Sequence, residues 1–366
     1  MSFDLLMREA LDLAARAIGL SEPNPRVGCV LTAPGGRVIG HGHTQQAGGP
    51  HAEVMALRDA GTAGESVRGA TAIVTLEPCA HHGRTPPCCD ALIAAGISRV
   101  VYAIEDPYPQ VAGLGAARLR AAGVDVQMLP AGELSSAARE LNIGFFSRIE
   151  RGRPWLRLKI AASLDGRSAL DNGISQWITA EPARRDGHAW RRRAGAVLTG
   201  AGTIKDDDPR LDVRLVETAC QPLRVIVDSR LDVSPTARIF EPAGTVLIYA
   251  ATADEPRAEA LRARGAEIAW QPGERDKVDL PAMLRDLAAR GINELHVEAG
   301  HRLNGSLVRE GLVDEYLVYL APMLIGTGRG LADFGSLTKL ADAPRLRFTD
   351  VTRIGDDLRV LARPAE

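Results

Sequence analysis

The sequence predicts two consecutive α/β domains, taken as residues 1–148 and 154–366. Three observations carry this. Apolar runs of strand length alternate with helix-like stretches along the whole chain. A chain of 366 residues is long for one hydrophobic core. Arg151-Gly-Arg-Pro154 interrupts the pattern between two sets of elements.

In the first half, Phe3, Leu6, Ala10, Leu13 and Ala17 recur at helical spacing, and Gly19 ends the run. The loop Ser21-Glu-Pro-Asn-Pro-Arg26 precedes a strand over 27–31, in which Cys29 reads as a small core residue. Asn24, held between two prolines, is either a turn residue or an amide offered to a substrate's polar edge. A strand over 37–40 is flanked by His41 and His43, which read as polar edge residues. Gly48-Gly-Pro50 leads into a helix opening with His51-Ala-Glu53. A buried strand over 72–76 delivers Cys79, and the Pro86-Pro87 pair sets up a helix from Cys88 to Gly96. A strand over 99–104, the turn Asp106-Pro-Tyr-Pro109, a short helix near 116–122, a strand over 124–128 and a helix over 133–148 complete the half.

The second half restarts with a strand over 155–161 whose alternation puts Trp155, Arg157 and Lys159 on one face. A polar turn at 163–166 and a basic helix over 181–193 follow. Strands are predicted at 196–199, 224–228, 245–249, 294–298 and 315–320, and a hairpin folds 346–349 onto 358–362 around Gly355-Asp-Asp357. Gly200-Ala-Gly202 lacks the third glycine of a dinucleotide turn. Gly300, Gly305, Gly326, Gly328 and Gly330 are read in loops after strands, as ordinary turn glycines or as places where backbone approaches a phosphate. Arg184, Arg185, Arg191, Arg192 and Arg193 form either a solvated helix face or a phosphate-holding set.

Composition narrows the class. A net charge of −2 provides no broad basic surface for nucleic acid. No apolar run reaches membrane-spanning length, and Met1-Ser-Phe-Asp-Leu5 lacks the basic start of a signal peptide. The five cysteines are odd in number and clustered, which suits a reducing compartment better than a disulfide framework. A cytoplasmic enzyme acting on a small molecule is expected.

The chemistry concentrates at His51, Glu53, Cys79 and Cys88. Thiolates are favoured at a helix N-terminus, where unpaired N–H groups lower the cysteine pKa. Two such cysteines and a histidine make three zinc ligands, and three is the count of a catalytic site that keeps a position for water. Glu53, two residues after His51, reaches over that position without ligating. His-x-Glu followed by Pro-Cys and a second cysteine is the signature of zinc-dependent nucleobase deaminases, in which the glutamate carries protons. His81 and His82 are read as loop residues shaping the pocket, and Cys89 as a core residue. A purely structural zinc module is disfavoured by Glu53 and by the missing fourth ligand.

The run Glu77-Pro-Cys-Ala-His-His-Gly-Arg-Thr-Pro-Pro-Cys88, with eight residues between its outer cysteines, resembles the bifunctional deaminase-reductase family of bacterial riboflavin biosynthesis. Asn24-Pro-Arg-Val-Gly28, His51-Ala-Glu53, Lys159-Ile-Ala-Ala-Ser-Leu-Asp-Gly166, Ser175-Gln-Trp-Ile-Thr179, Asp207-Asp-Pro209 and Val297-Glu-Ala-Gly300 match the same family. The long inter-cysteine spacing, the near-neutral charge and the second half all count against a deaminase acting on RNA.

The resemblance implies a cytidine-deaminase-like α/β/α sandwich followed by a dihydrofolate-reductase-like α/β domain, with zinc in the first and NADPH in the second. It implies metal ligation by His51, Cys79 and Cys88, proton transfer by Glu53, and substrate binding by Asn24, Arg84 and Thr85. It places NADPH at Ala161, Trp177, Thr203, Asp207, Ser229 and a loop of Gly300, His301, Arg302, Leu303, Asn304, Gly305 and Ser306. The reductase substrate falls at Ser175, Arg191, Leu211, Arg214 and Glu298. Lys159, Asp207 and Glu298 remain as alternative proton donors for the reduction. A homo-oligomer, a dimer or higher, built through the second half is the family expectation. The competing reading keeps the deaminase and makes the second half a scaffold.

Overall fold

Alternation along the first strand sets the layering of the N-terminal half. The computed structural model describes residues 2–81, 86–109 and 112–365, and the chain divides into two compact units, Met1–Gly152 and Arg153–Glu366. The first holds strands β1 (Gly28–Thr32), β2 (Val38–His43), β3 (Thr71–Val74), β4 (Arg99–Tyr102) and β5 (Asp125–Met128) in the order β2-β1-β3-β4-β5. Its helices are α1 (Phe3–Ala15), α2 (Ala52–Thr62), α3 (Cys88–Ala94), α4 (Leu114–Ala121), α5 (Glu133–Leu141) and α6 (Ile143–Arg151). Cys29 and Leu31 face a core shared with Ala56 of α2, Leu92 of α3, Leu119 of α4 and Phe145 of α6. Val30, with Ile73 and Val101, faces Leu6, Met7, Ala10 and Leu13 of α1. A period of two along the strand thus produces three layers.

Close approach of β2 and α2 sets where the chemistry can sit. A Cβ on Gly42 would stand 2.1 Å from the Ala52 carbonyl oxygen and 2.4 Å from the Ala56 nitrogen. Only glycine lets the helix lie directly on the strand. Gly42→Ala is expected to destabilise the first unit by about 3 kcal/mol, the upper range for an overpacked site. The second unit should be spared. Trp155, Trp177, Trp190 and Trp270 all lie in the second unit, so its tryptophan-monitored unfolding should stay unchanged while the first calorimetric transition drops.

The helix expected over 133–148 is two helices. Asn142 separates them because its side chain is committed elsewhere: Oδ1 accepts from the Arg26 N–H at 2.7 Å, and Nδ2 donates to the Arg26 carbonyl at 2.9 Å. His41 and His43 lie within β2 rather than beyond it, and β3 ends earlier than predicted, at Val74.

The second unit contains β6 (Trp155–Ser163), β7 (Arg167–Leu170), β8 (Ala196–Gly200), β9 (Leu223–Val227), β10 (Val246–Ala250), β11 (Ala266–Trp270), β12 (Glu294–Val297), β13 (Glu315–Ala321), β14 (Gly328–Gly330), β15 (Leu346–Ile354) and β16 (Asp357–Pro364). Nine strands form one sheet, β11-β10-β9-β8-β12-β6-β13-β16-β15, parallel as far as β13 and closed by the antiparallel hairpin β15–β16. β7 and β14 pair separately. The helices are α7 (Glu181–Arg193), α8 (Ala201–Asp207), α9 (Glu255–Arg262), α10 (Leu280–Ala289) and α11 (His301–Arg309). Leu156, Leu158, Ile160, Leu295 and Val297 pack with α10 and α11, whereas Val197, Ile226 and Ile248 pack with α9 on the other face.

The face of β6 that carries Trp155, Arg157 and Lys159 turns towards α7, and Trp190 of α7 stacks on the Arg157 guanidinium 4.4 Å from its ring centroid. Of the two alternatives for the arginines of α7, a wholly solvated face is excluded for Arg191 and Arg193. Arg191 and Arg193 reach carboxylates on β12 and its C-terminal end instead. The predicted glycine loop at 300–306 is also corrected: Gly300 caps α11 and the following residues are its first turns. Gly305 sits inside that helix because a Cβ there would stand 1.8 Å from the Asp333 carbonyl oxygen. Gly328 and Gly330 belong to β14. No helix among the described residues is long and apolar enough to cross a membrane.

Candidate active sites

The first site is assembled at the N-termini of two helices. His51 is the residue that opens α2, Glu53 lies in the first turn of that helix, and Cys88 begins α3 after Pro87. His51, Cys79 and Cys88 bring one ligand atom each to within 4.8 Å of one another. His51 Nδ1 lies 3.2 Å from Cys88 Sγ and 3.6 Å from Cys79 Sγ. The Cys88 backbone N–H donates to Cys79 Sγ at 3.3 Å, as the helix N-terminus argument requires. The hydrogen bond from Cys88, with help from His51, pushes Cys79 well below the usual thiol range. One imidazole nitrogen and two sulfurs form a donor set that fits zinc.

Glu53 is 3% exposed, and burial pushes its carboxyl upward. It lines a cavity of about 310 Å³ together with His51, Cys79 and Asn24. Cys88 lies behind that cavity, almost fully buried. Arg84, Thr85 and His82 lie outside the described residues. Cys89 points away from the metal position; its thiol donates to the Cys79 carbonyl at 2.9 Å, and burial pushes it up to about 12.

Several residues here escaped the sequence argument. Glu77 is a scaffold rather than a proton carrier: its carboxylate accepts the N–H groups of Gly113 at 3.0 Å and Ala116 at 2.9 Å, docking the N-terminus of α4 beside Cys79. Gly115 permits the contact, since a Cβ there would stand 1.9 Å from the Pro78 carbonyl. Asp106, Tyr108, Phe145 and Arg148 also line the cavity. Burial pushes Asp106 up to about 7, while its carboxylate holds the Tyr108 N–H at 2.8 Å. Only the turn Asp106-Pro-Tyr-Pro109 carried a local signal for any of them.

The second site is one cavity of about 1500 Å³ in the second unit. Every residue assigned to cofactor or substrate of the reductase lines it except Gly305, which faces Asp333. Ser175 donates to Asp207 at 2.9 Å, and the Ser229 hydroxyl accepts from the Val278 N–H at 3.2 Å. Trp177 is 64% exposed at the cavity wall with the Arg184 guanidinium 4.6 Å from its ring centroid. The Leu211 side chain is part of the buried core.

Charge in this cavity centres on Glu298. Arg191 grips its carboxylate through Nε at 2.5 Å and Nη2 at 3.0 Å, and spends Nη1 on the Asp212 carbonyl at 2.9 Å. Lys159 Nζ lies 3.7 Å away. Burial opposes the charged carboxylate, but Arg191 and Lys159 together hold Glu298 well below the usual carboxylate range. Arg214 is the more available cation, with its side chain 44% exposed and one bond to Asp212 at 2.8 Å.

Comparison with known proteins follows the same division. Residues 2–104 match the family described as the cytidine and deoxycytidylate deaminase zinc-binding region, and residues 154–360 match the RibD C-terminal domain. The riboflavin biosynthesis protein RibD of Escherichia coli is 45% identical over 98% of both chains. That of Haemophilus influenzae is 41% identical over 98% of this chain and 97% of its own. The chain belongs to the RibD family. The RibD structure from Acinetobacter baumannii superposes with a TM-score of 0.89 at 38% identity, covering 100% of this chain and 99% of that one. A Thermotoga maritima diaminohydroxyphosphoribosylaminopyrimidine deaminase/5-amino-6-(5-phosphoribosylamino)uracil reductase follows at 0.87 and 33%, over 99% of both chains. RibD membership makes this a bifunctional deaminase and reductase of riboflavin biosynthesis. Zinc and NADPH are its cofactors.

Proposed function

We propose that residues 1–148 hydrolytically deaminate 2,5-diamino-6-ribosylamino-4(3H)-pyrimidinone 5′-phosphate, and that residues 154–366 then reduce the ribosyl group of the product with NADPH to yield 5-amino-6-(5-phospho-D-ribitylamino)uracil. The observation that carries this is the convergence of His51, Cys79 and Cys88 beside buried Glu53 at the wall of one small cavity. His51, Cys79 and Cys88 hold the zinc. When bound, the metal supplies the Lewis acidity that makes a water nucleophile available near neutral pH. Glu53 accepts one proton from that water at a carboxylate oxygen and passes it to a ring nitrogen; as the carbon–oxygen double bond forms and the carbon–amine bond breaks, it takes the remaining hydroxyl proton and delivers it to the departing amine. A raised carboxyl pKa suits a group that must both take and return a proton. Asn24 offers its amide to the polar edge of the ring, and Arg84 with Thr85 holds the phosphate.

In the reductase, NADPH when bound would supply a hydride to the ribosyl carbon joined to the amine; the bond from that carbon to the ring oxygen would break and the oxygen take a proton to become a hydroxyl. Arg214 and Arg191 bind the phosphate side of the substrate, a task that suits a guanidinium fork. Ser175, Leu211 and Glu298 complete that subsite. Ala161, Trp177, Thr203, Asp207, Ser229 and the start of α11 receive the cofactor, with Ser229 beside its 2′-phosphate. The same reading makes the enzyme a cytoplasmic homo-oligomer, supported by edge strand β15, where Phe348 is 70% exposed; sedimentation velocity checks it.

The test is mass spectrometry of the zinc-loaded protein with the diaminopyrimidine ribosyl phosphate, with and without NADPH. Exchange of an amino group for oxygen without NADPH, and a further gain of two hydrogens with it, is the expected result. Unchanged substrate in both tubes rejects the reading, and deamination alone restricts it to the first half.

A further inference from the structure

We propose that Lys277 sets the preference of the reductase for NADPH over NADH, by pairing with the phosphate on the adenosine 2′ position. The inference rests on the reading that Ser229 stands beside that phosphate. It begins with a short turn. Between β11 and α10 the chain closes on itself: Pro272 bridges to Val278, the Gly273 N–H donates to the Lys277 carbonyl at 2.7 Å, and the Asp279 N–H donates to the Gln271 carbonyl at 2.9 Å. Arg275 and Asp276 reverse the chain at a φ of 54° each, in the left-handed region.

Two further bonds seat this turn at the end of the sheet. The Gln271 N–H donates to the Ala250 carbonyl at 2.8 Å, and the Val278 N–H donates to Ser229 Oγ at 3.2 Å. Val278 is buried in the core with Leu280. Lys277 is extended and exposed, so it takes the opposite side, where it lines the large cavity with Ser229 and Arg230. The peptide joining Lys277 to Val278 puts the Lys277 Cα within about 6 Å of the Ser229 hydroxyl. A four-carbon stem covers that distance.

Charge distinguishes Lys277 from the arginine next to Ser229. Arg230 Nε lies 3.5 Å from Asp232, and Arg257 holds the same carboxylate at 2.8 Å. A phosphate brought to Arg230 therefore meets the negative charge of Asp232 as well. Lys277 makes no ion pair among the described residues, not even with Glu274 or Asp276 of its own turn. Asp279, two residues on, is spent on the N-terminus of α10, where it accepts the Ala282 N–H at 2.8 Å. The turn thus holds the backbone of Lys277 fixed beside Ser229 and leaves its ammonium available. A mobile point charge suits a phosphate at the rim of a cavity, where no fixed fork geometry is imposed. NADH has no phosphate at that position, so Lys277 contributes to the binding of NADPH alone.

The experiment measures binding of NADPH and of NADH, by fluorescence of the reduced nicotinamide, to the full-length, zinc-loaded enzyme and its variants Lys277→Met, Lys277→Arg and Ser229→Asp. Lys277→Met is expected to raise the Kd for NADPH about tenfold, the scale of one hydrogen bond to a charged group, and to leave the Kd for NADH as it was. Lys277→Arg keeps the charge and should keep most of the preference. Added salt should weaken NADPH binding less in Lys277→Met than in the wild type. Ser229→Asp brings a negative charge to the place read as the 2′-phosphate subsite. If it leaves NADPH binding unaltered, Ser229 does not stand beside that phosphate and the underlying reading fails. If Ser229→Asp weakens NADPH binding while Lys277→Met does not, the role of Lys277 is overturned. Equal weakening of both coenzymes in Lys277→Met would also overturn it, by making the residue a support of the turn only.

Discussion

Replacing Glu53 by glutamine should lower deaminase kcat by about 10²–10⁴-fold, the usual weight of a positioned acid-base group, while zinc content stays at the wild-type level. On the proposed mechanism the two outcomes separate, because Glu53 carries protons there and stands outside the set His51, Cys79 and Cys88. Glutamine keeps the shape of a side chain that is 3% exposed, so the first turn of α2 need not move. What it removes is the ability to accept a proton and release it. The reductase supplies an internal control: given the deaminated pyrimidine and NADPH, the variant should turn over at the wild-type rate. Cys88→Ser should instead lose metal and deamination together. A Glu53→Gln enzyme that deaminates within a few-fold of wild type, with full zinc, would remove Glu53 from the mechanism.

The largest stability effect is expected at Arg157. Its side chain is 2% exposed between Glu315, 2.5 Å from Nε, and Glu294, 2.9 Å from Nη1. Arg193 shares Glu294 Oε2 with Arg157, at 2.8 Å, and Arg363 takes the other oxygen of Glu315 at 2.8 Å. Arg157→Met leaves two buried carboxylates with one cation apiece at the rim and nothing between them. Breaking a buried pair costs about 3–5 kcal/mol, because the orphaned charge has already lost its water. Urea unfolding followed by tryptophan fluorescence reads this unit alone, since Trp155, Trp177, Trp190 and Trp270 all belong to it. The triple change Arg157→Met, Glu294→Gln, Glu315→Gln should recover most of the loss, as neutral partners need no counter-charge. A single Arg157→Met within 1 kcal/mol of wild type would mean that water or rearranged partners solvate the carboxylates.

What could be read in advance follows how local each signal is. The break at Asn142 was missed because it depends on Arg26, which no helical period reveals. The elements β7, β11, β14 and α8 to α11 were passed over, since each is short or gains its apolar face only against the large sheet. Gly305 shows the same limit. A glycine after a strand reads as a loop, yet here the missing Cβ makes room for the Asp333 carbonyl against α11.

The sequence by itself determined the family, and it proposed the metal donor set and the proton carrier. His51 and Glu53 share one helix start, and Cys79 and Cys88 flank one loop, so their chemistry is written in short spacings that local backbone preference enforces. Tertiary structure alone decided the charge partners of the reductase half. Arg157 meets Glu315 across 158 residues, and Arg191 meets Glu298 across 107. Those pairings depend on strand order in a nine-stranded sheet. Periodicity tells which face a side chain takes but not which strand lies beside it, so an arginine that reads as solvated can end up buried against carboxylates that sheet order puts within reach.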